Sequence, residues 1–193
     1  MAKQTIQLGT TPNDGTGDNL RVGGDKINDN FTELYDAKRF GIYDYDNTVS
    51  AQSYVATPIV LQNNGAGANT YKNTLIGVTD IYDTTGFEFD FSGLSIGDVV
   101  TIRVDLIITT SSANQNVRVY IELAQGSGSE YEIDLKQGFY KTATTHTLSD
   151  AINFIYMGNT DTKNNPAKIY FSSDSGATVQ VNGWACKVDK QIV

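Results

Sequence analysis

Few side chains in this sequence could carry covalent chemistry, and those few are scattered. His146 is the single histidine, set in the polar run Thr142-Ala143-Thr144-Thr145-His146-Thr147, where a solvated surface imidazole is expected rather than a general base. Cys186 is the single cysteine, so no intramolecular disulfide can form. It stands two residues from Trp184 on the same face of a strand, and is read as a buried, inert thiol. Without a second Cys or His, neither a zinc site nor a Cys–His nucleophile pair can be built in one chain. Glycoside hydrolysis needs two facing carboxylates. Glu88, Asp90, Asp105 and Glu122 lie in alternating segments, where outward carboxylates simply solubilise a strand. Asp14, Asp18, Asp25 and Asp29 resemble a calcium cluster in composition, but their spacing lacks the terminal bidentate Glu of an EF-hand loop. Asp44-Tyr45-Asp46-Asn47 is also acidic, and three copies around an axis could hold a cation; turn carboxylates are the simpler reading. Gly15-Thr16-Gly17 is no phosphate loop, because no Gly-Lys-Ser/Thr follows. No catalytic residue, cofactor or metal is therefore assigned, and the chain is read as a non-enzyme.

Composition narrows the class further. A chain of 193 residues allows one ordinary domain and an appendage. The 18 glycines against 3 prolines, with abundant Thr, Asn, Asp and Ser, suit a β-rich protein with many turns. A formal net charge of −8 argues against nucleic acid, whose backbone calls for clustered Lys and Arg. No apolar run approaches the ~18 residues of a membrane span, so no membrane insertion is expected. The first ten residues show no apolar signal region, and synthesis in a cytoplasm is expected.

The segment that must position any function is residues 8–35. Its first half, to Asp18, is polar and punctuated by Pro12-Asn13-Asp14-Gly15 and Thr16-Gly17-Asp18, which predicts an ordered, non-helical arm. Its second half changes period. Leu20, Gly24, Ile27, Phe31 and Leu34 are spaced four, three, four, three, the a/d pattern of a helix packing on copies of itself. Asp18 or Asn19 supplies an N-cap, Asp25 places negative charge toward the helix start, and Gly41 offers a stop after Phe40. The seam is short, and Gly23 and Gly24 each cost on the order of 1 kcal/mol against Ala. A surface helix lying on its own domain would show a similar stripe.

Beyond residue 53 the period is that of strands. Residues 54–61 form a candidate edge strand broken by Pro58. Residues 74–79 are short and apolar, and Phe87-Glu88-Phe89-Asp90-Phe91 alternates with the Phe side inward. Val100, Ile102, Val104, Leu106 and Ile108 face one way, as do Val117, Val119, Ile121 and Leu123; this pair is read as one long hairpin. Tyr131, Ile133 and Leu135 alternate next, then residues 139–146, 151–157 and 169–171 add short strands. Val179, Val181, Trp184, Cys186 and Val188 close the chain, with a register break at Asn182-Gly183. About eight to ten strands at turn spacings of roughly 8–12 residues predict a mainly β fold, an antiparallel sandwich of jelly-roll type. No fixed-period repeat supports a β-helix.

The segment GTTPNDGTGDNLRVGGDKINDNFTELY resembles one found near the start of tailed-phage virion proteins: fibres, head fibres and capsid decoration proteins. Gly9-Thr10, the run 13–18, Leu20-Arg21, Lys26-Ile27-Asn28, Asn30-Phe31 and Glu33-Leu34-Tyr35 carry the match; Gly23-Gly24 depart from the usual small residue and Phe. The run of residues 89–123 also resembles the β-sandwich heads of such proteins. The resemblance implies a homotrimer, joined through Leu20, Gly24, Ile27, Phe31 and Leu34, and attached to the virion through Ile6, Leu8, Pro12, Asn13 and Asp14. The expected division is an arm and helix in residues 1–40, a connector in 41–53 with Ile42, Tyr43 and Tyr45 pinning head to stalk, and a head in 54–193. The expected role is a capsid decoration, cement or head-fibre protein on the major capsid protein or another virion protein. A receptor-binding short tail fibre or tailspike, with a host-surface glycan as ligand, is the alternative.

Overall fold

The computed structural model describes residues 4–11, 14–36 and 39–191, with backbone alone at 33–36 and 152–153. The chain divides into two compact units, Met1–Lys38 and Arg39–Val193.

The second unit is an antiparallel β-sandwich. Its strands are β1 (Phe40–Asp46), β2 (Gln52–Tyr54), β3 (Ile59–Val60), β4 (Tyr71–Asn73), β5 (Tyr82–Asp83), β6 (Glu88–Phe89), β7 (Val99–Thr110), β8 (Gln115–Leu123), β9 (Tyr131–Tyr140), β10 (Thr145–Tyr156), β11 (Lys168–Ser173) and β12 (Ala177–Asp189). One sheet runs β10-β7-β12-β1-β4, with β2 added to β12; the other runs β3-β11-β8-β9; β5 and β6 pair alone. The inward residues of β7, β8, β11 and β12 meet in one core with Tyr43, Tyr45, Phe89 and Phe91. Val100, Ile102, Val104, Leu106 and Ile108 are all fully buried, as their alternation predicts. Each such side chain contributes roughly 1.5–3 kcal/mol before entropy is charged against it.

Several expectations are corrected. First, β7 and β8 are not a hairpin. β7 lies between β10 and β12, while β8 lies between β9 and β11 in the opposite sheet. Asn114 turns the chain with a φ of 56°, and Gln115 holds the crossing. Its buried Nε2 donates to Ser173 Oγ at 2.7 Å and to the Ser175 and Gly176 carbonyls at 3.0 Å. Two strands with one apolar face each are satisfied equally by pairing edge to edge or by facing across a core, and this anchor decides for the second.

Second, the expected connector is a sheet strand. β1 pairs with β12 from Phe40 to Asp46 and with β4 on its other side. Tyr43 and Tyr45 are fully buried; Tyr43 Oη donates to the Val78 carbonyl at 2.8 Å and accepts from Leu75 N–H at 3.2 Å. The head therefore starts at Arg39 rather than at residue 54. Third, the strict Phe alternation fails at Phe87, which has a φ of 52° in a turn, although Phe89 and Phe91 are buried. Residues 74–79 form a turn closed by a Leu75–Val78 bridge, and residues 54–61 split into β2 and β3. A short helix, α2 (Thr160–Asn164), was not anticipated; Asn159 caps it by accepting from Thr162 N–H at 2.8 Å.

The register break in β12 stands where Asn182-Gly183 predicts it, between Val181 and Gly183. A Cβ on Gly183 would lie 2.8 Å from the Tyr45 carbonyl oxygen, so only glycine fits.

A chain of residues 39–193 should melt cooperatively with a β-type circular dichroism spectrum. Starting at residue 47 instead removes β1, uncovers β12 along Gly183–Asp189, and should yield no cooperative transition.

Candidate functional site

The first unit pairs an extended arm with α1 (Leu20–Asp36). Asn19 is the N-cap: its Oδ1 accepts from Val22 N–H at 2.9 Å, and its carbonyl accepts from Gly23 N–H at 2.9 Å. The helix ends at Asp36, short of the expected Phe40 and Gly41, because β1 claims those residues.

Gly23, Lys26 and Asn30 share one side of α1, and the arm lies along it. Gln4 N–H donates to Asn30 Oδ1 at 2.9 Å, while Asn30 Nδ2 returns a bond to the Gln4 carbonyl at 2.9 Å. Lys26 Nζ reaches the Thr5 carbonyl at 3.2 Å and Asp18 Oδ2 at 2.7 Å. Asp18 Oδ2 also accepts from Gln7 N–H at 2.8 Å, and Asp18 N–H donates to the Gln7 carbonyl at 2.8 Å. The Lys26 hydrogen bond, then that of Gln7, holds the Asp18 carboxyl below its ordinary pKa. Gly23 is buried, and a Cβ there would meet Ile6 Cγ2 at 3.7 Å.

Asp14 organises the arm's turn. Its Oδ2 accepts from Thr10 N–H and Thr10 Oγ1, both at 2.6 Å, and from Thr11 N–H at 2.8 Å. Its Oδ1 accepts from Thr16 N–H at 2.9 Å. The Thr10 hydroxyl and then the Thr16 and Thr11 amides drive its pKa far below the ordinary value.

These contacts sort the residues singled out from sequence. Ile6 packs on Gly23 and Asp14 is spent inside the turn, whereas Leu8 is 89 % exposed. Pro12 and Asn13 lie outside the described residues. The arm orders on its own helix, because Asn30, Lys26 and Asp18 give its backbone polar partners. On another face of α1, Leu20, Ile27 and Phe31 stand exposed, and Gly24 is half-buried with open space beside it. The side chain of Leu34 lies outside the described residues.

The candidate catalytic and metal groups are not brought together. Asp18 pairs with Lys26, Asp29 accepts from Gln4 Nε2 at 2.8 Å, and Asp25 is exposed. Among the described residues, no group of three His, Cys, Asp or Glu could hold a metal. Glu88 pairs with Lys168 at 3.1 Å, Asp90 accepts from Ser92 N–H at 2.8 Å, Asp105 pairs with Arg103 at 2.9 Å, and Glu122 accepts from Gln125 Nε2 at 2.7 Å. Asp105 and Glu122 sit in opposite sheets, with the core between them. Burial, opposed by Arg103, raises the pKa of half-buried Asp44; Asp46 is used in a loop, accepting from Asn69 N–H at 3.0 Å. Cys186 is buried, and burial pushes its thiol up. His146 differs from expectation: it is half-buried, its ring 4.0 Å from that of Tyr140, and its Nε2 is buried without a protein partner among the described residues. Sequence missed Asp80, which accepts from Tyr45 Oη and from Lys72 Nζ. Its pKa falls, since these bonds outweigh its burial.

The class the fold defines is an antiparallel β-sandwich protein with a clasped arm and a capped helix in a separate N-terminal unit. The family described as "Bacteriophage T4 gp9/10-like protein, N-terminal" matches residues 3–190, and the chain belongs to it. It is a structural protein of a phage virion. The baseplate wedge protein gp10 of Enterobacteria phage T4 is 64 % identical over 33 residues, which cover 17 % of this chain and 6 % of that protein. Among solved structures, infectious bursal disease virus Gt strain aligns with a TM-score of 0.47 at 11 % identity, covering 80 % of this chain and 34 % of that one. Eiger TNF from S. frugiperda aligns at 0.44 and 10 % identity, covering 81 % and 96 %. Neither likeness bears on function. No described helix is long and apolar enough to cross a membrane.

The arm's turn should be acid-labile. Asp14 and Asp18 have folded pKa values below the ordinary 3.8, so their contribution is complete above that pH and lost as pH falls through the depressed folded values. NMR of the Thr10, Thr11 and Thr16 amides should show the turn intact from neutral pH to about 4 and opening below. Asp14→Ala should open it at every pH while leaving the sandwich melt unchanged.

Proposed function

We propose that the chain is a homotrimeric decoration, cement or head-fibre protein of a phage capsid, held by its N-terminal unit and projecting the sandwich. The observation that carries this is the exposed stripe of α1, where Leu20 is 96 % accessible, Phe31 52 % and Ile27 43 %. A 17-residue helix containing Gly23 and Gly24 is marginal alone. The arm stabilises one face, and Leu20 and Ile27 are exposed on another. Three copies joined through Leu20, Gly24, Ile27, Phe31 and Leu34 would bury it, each large side chain contributing roughly 1.5–3 kcal/mol. Attachment to the major capsid protein or another virion protein would then use exposed Leu8 and the neighbouring Pro12 and Asn13, with Ile6 and Asp14 setting the arm's shape. Three residues separate the end of α1 from β1, which is too few for a fibre shaft.

A second reading places the protein in the tail, as a baseplate component or receptor-binding short fibre. The match to a baseplate wedge protein favours it.

Sedimentation equilibrium should give a trimer at micromolar concentration, and Phe31→Asp or Leu20→Asp should shift it to monomer without altering the sandwich melt. A monomeric parent chain would overturn the seam. Quantitative mass spectrometry of particles decides the location: copies on the order of hundreds mean capsid, a few dozen mean tail.

A further inference from the structure

The outer face of the four-stranded sheet carries a groove of about 430 Å³, a volume within the range of small-ligand sites. Asn116, Arg118, Gln137, Phe139, Ser172 and Asp174 line it. We propose that this groove binds a neutral saccharide.

The first support is a donor held rigid on three sides. Arg118 Nε donates to Asp134 Oδ1 at 2.6 Å, and Nη2 donates to Glu132 Oε2 at 2.7 Å. The guanidinium lies 4.1 Å from the centre of the Tyr120 ring, and Tyr120 is stacked on Tyr170 with ring centres 5.3 Å apart. Nη1 has no protein acceptor among the described residues. A donor fixed in advance on a central strand loses little entropy when a ligand arrives.

The second support is a set of oriented acceptors. Asn116 Nδ2 donates to Asp174 Oδ2 at 2.7 Å, and Gln137 Nε2 donates to Asp134 Oδ2 at 2.6 Å. Each bond fixes its amide and leaves the amide oxygen, Asn116 Oδ1 or Gln137 Oε1, without a protein donor among the described residues. Ser172 adds a hydroxyl that can give or take a hydrogen bond. A ring of hydroxyls, each both donor and acceptor, satisfies such a mixed rim; an apolar ligand would strand it.

Charge and shape supply the rest. Arg118 is already matched by Glu132 and Asp134, and Asp174 makes the groove acidic on balance, so a phosphate, sulfate or sialic acid would be repelled. Phe139 is 55 % exposed and carries no polar tip. Its ring offers a flat apolar surface to the C–H face of a pyranose, beside the polar rim that the hydroxyls require.

The test uses the purified full chain and neutral oligosaccharides of glucose, galactose, mannose and N-acetylglucosamine, with sialylated and sulfated oligosaccharides as a second arm. At about 10 mM, a sugar with a Kd near 1 mM fills about nine-tenths of the sites. At least one neutral oligosaccharide should shift the Arg118 Nε–H resonance. Phe139→Ala should weaken binding about two- to tenfold, and Asn116→Ala should weaken it too. Phe139→Tyr should retain binding, and all three variants should melt as the parent does. Absence of neutral-sugar binding, binding confined to the acidic sugars, or binding indifferent to both alanine variants would each overturn the proposal. The assay needs no particle, so it stands or falls apart from the virion assignment.

Discussion

The sandwich depends on how closely β12 passes β1 at Gly183. There the backbone of one strand comes so near the Tyr45 carbonyl that no side chain can intervene. The bulge beside it lets β12 pair with β2 through Ala177–Val179 and with β1 through Gly183–Asp189 while β7 runs along its other edge. Asn47 locks the junction: its N–H donates to the Asn182 carbonyl at 2.9 Å, and its Nδ2 donates to the Val181 carbonyl at 2.8 Å. Directly after the bulge, Trp184 enters the core against Tyr82 and Phe89, with ring centres 5.6 and 6.2 Å away. Tyr45, Tyr82 and Phe89 continue the cluster. Glycine at 183 thus sets the strand spacing, and the strand spacing sets where the aromatic core forms.

The N-terminal unit works by the opposite physics. Its arm buries little apolar surface and is held by backbone and side-chain hydrogen bonds to Asn30, Lys26 and Asp18. Such bonds yield only about 0.5–1.5 kcal/mol each in water, so the clasp is built from several weak links. The large apolar groups of α1 stay outside it. The polar side of this helix is spent on its own arm, while Leu20 and Ile27 lie exposed on another side.

Acidic residues show the same economy. Asp14 closes a turn, Asp46 supports the loop at Asn69, Asp80 receives Tyr45 and Lys72, and Asp174 orients Asn116. A carboxylate accepts several hydrogen bonds at once and tolerates the chain's negative charge when it is dispersed. This is why the sequence shows many Asp residues and the structure spends those named here on turns, loops and side-chain partners.

What the sequence determined by itself was local. Alternation named the buried faces of β7, β8, β11 and β12, the pair Asn182-Gly183 marked the bulge, and Asp18 or Asn19 marked the start of α1, where Asn19 is the cap. These follow from side-chain period and backbone freedom, which neighbours in sequence decide. Which strand lies beside which was not local. Alternation gives a face but no partner, so β7 and β8 read as a hairpin until the buried Gln115 turned the chain into the opposite sheet. The acidic Phe40–Asp46 read as a connector because its two inward tyrosines find their hydroxyl partners, the Val78 carbonyl and Asp80, far along the chain. The groove beside Arg118 was invisible for the same reason: Asn116, Gln137 and Asp174 meet only once three strands are laid in register, and hydrogen bonds between distant residues, unlike turns and periodicities, leave no spacing to read.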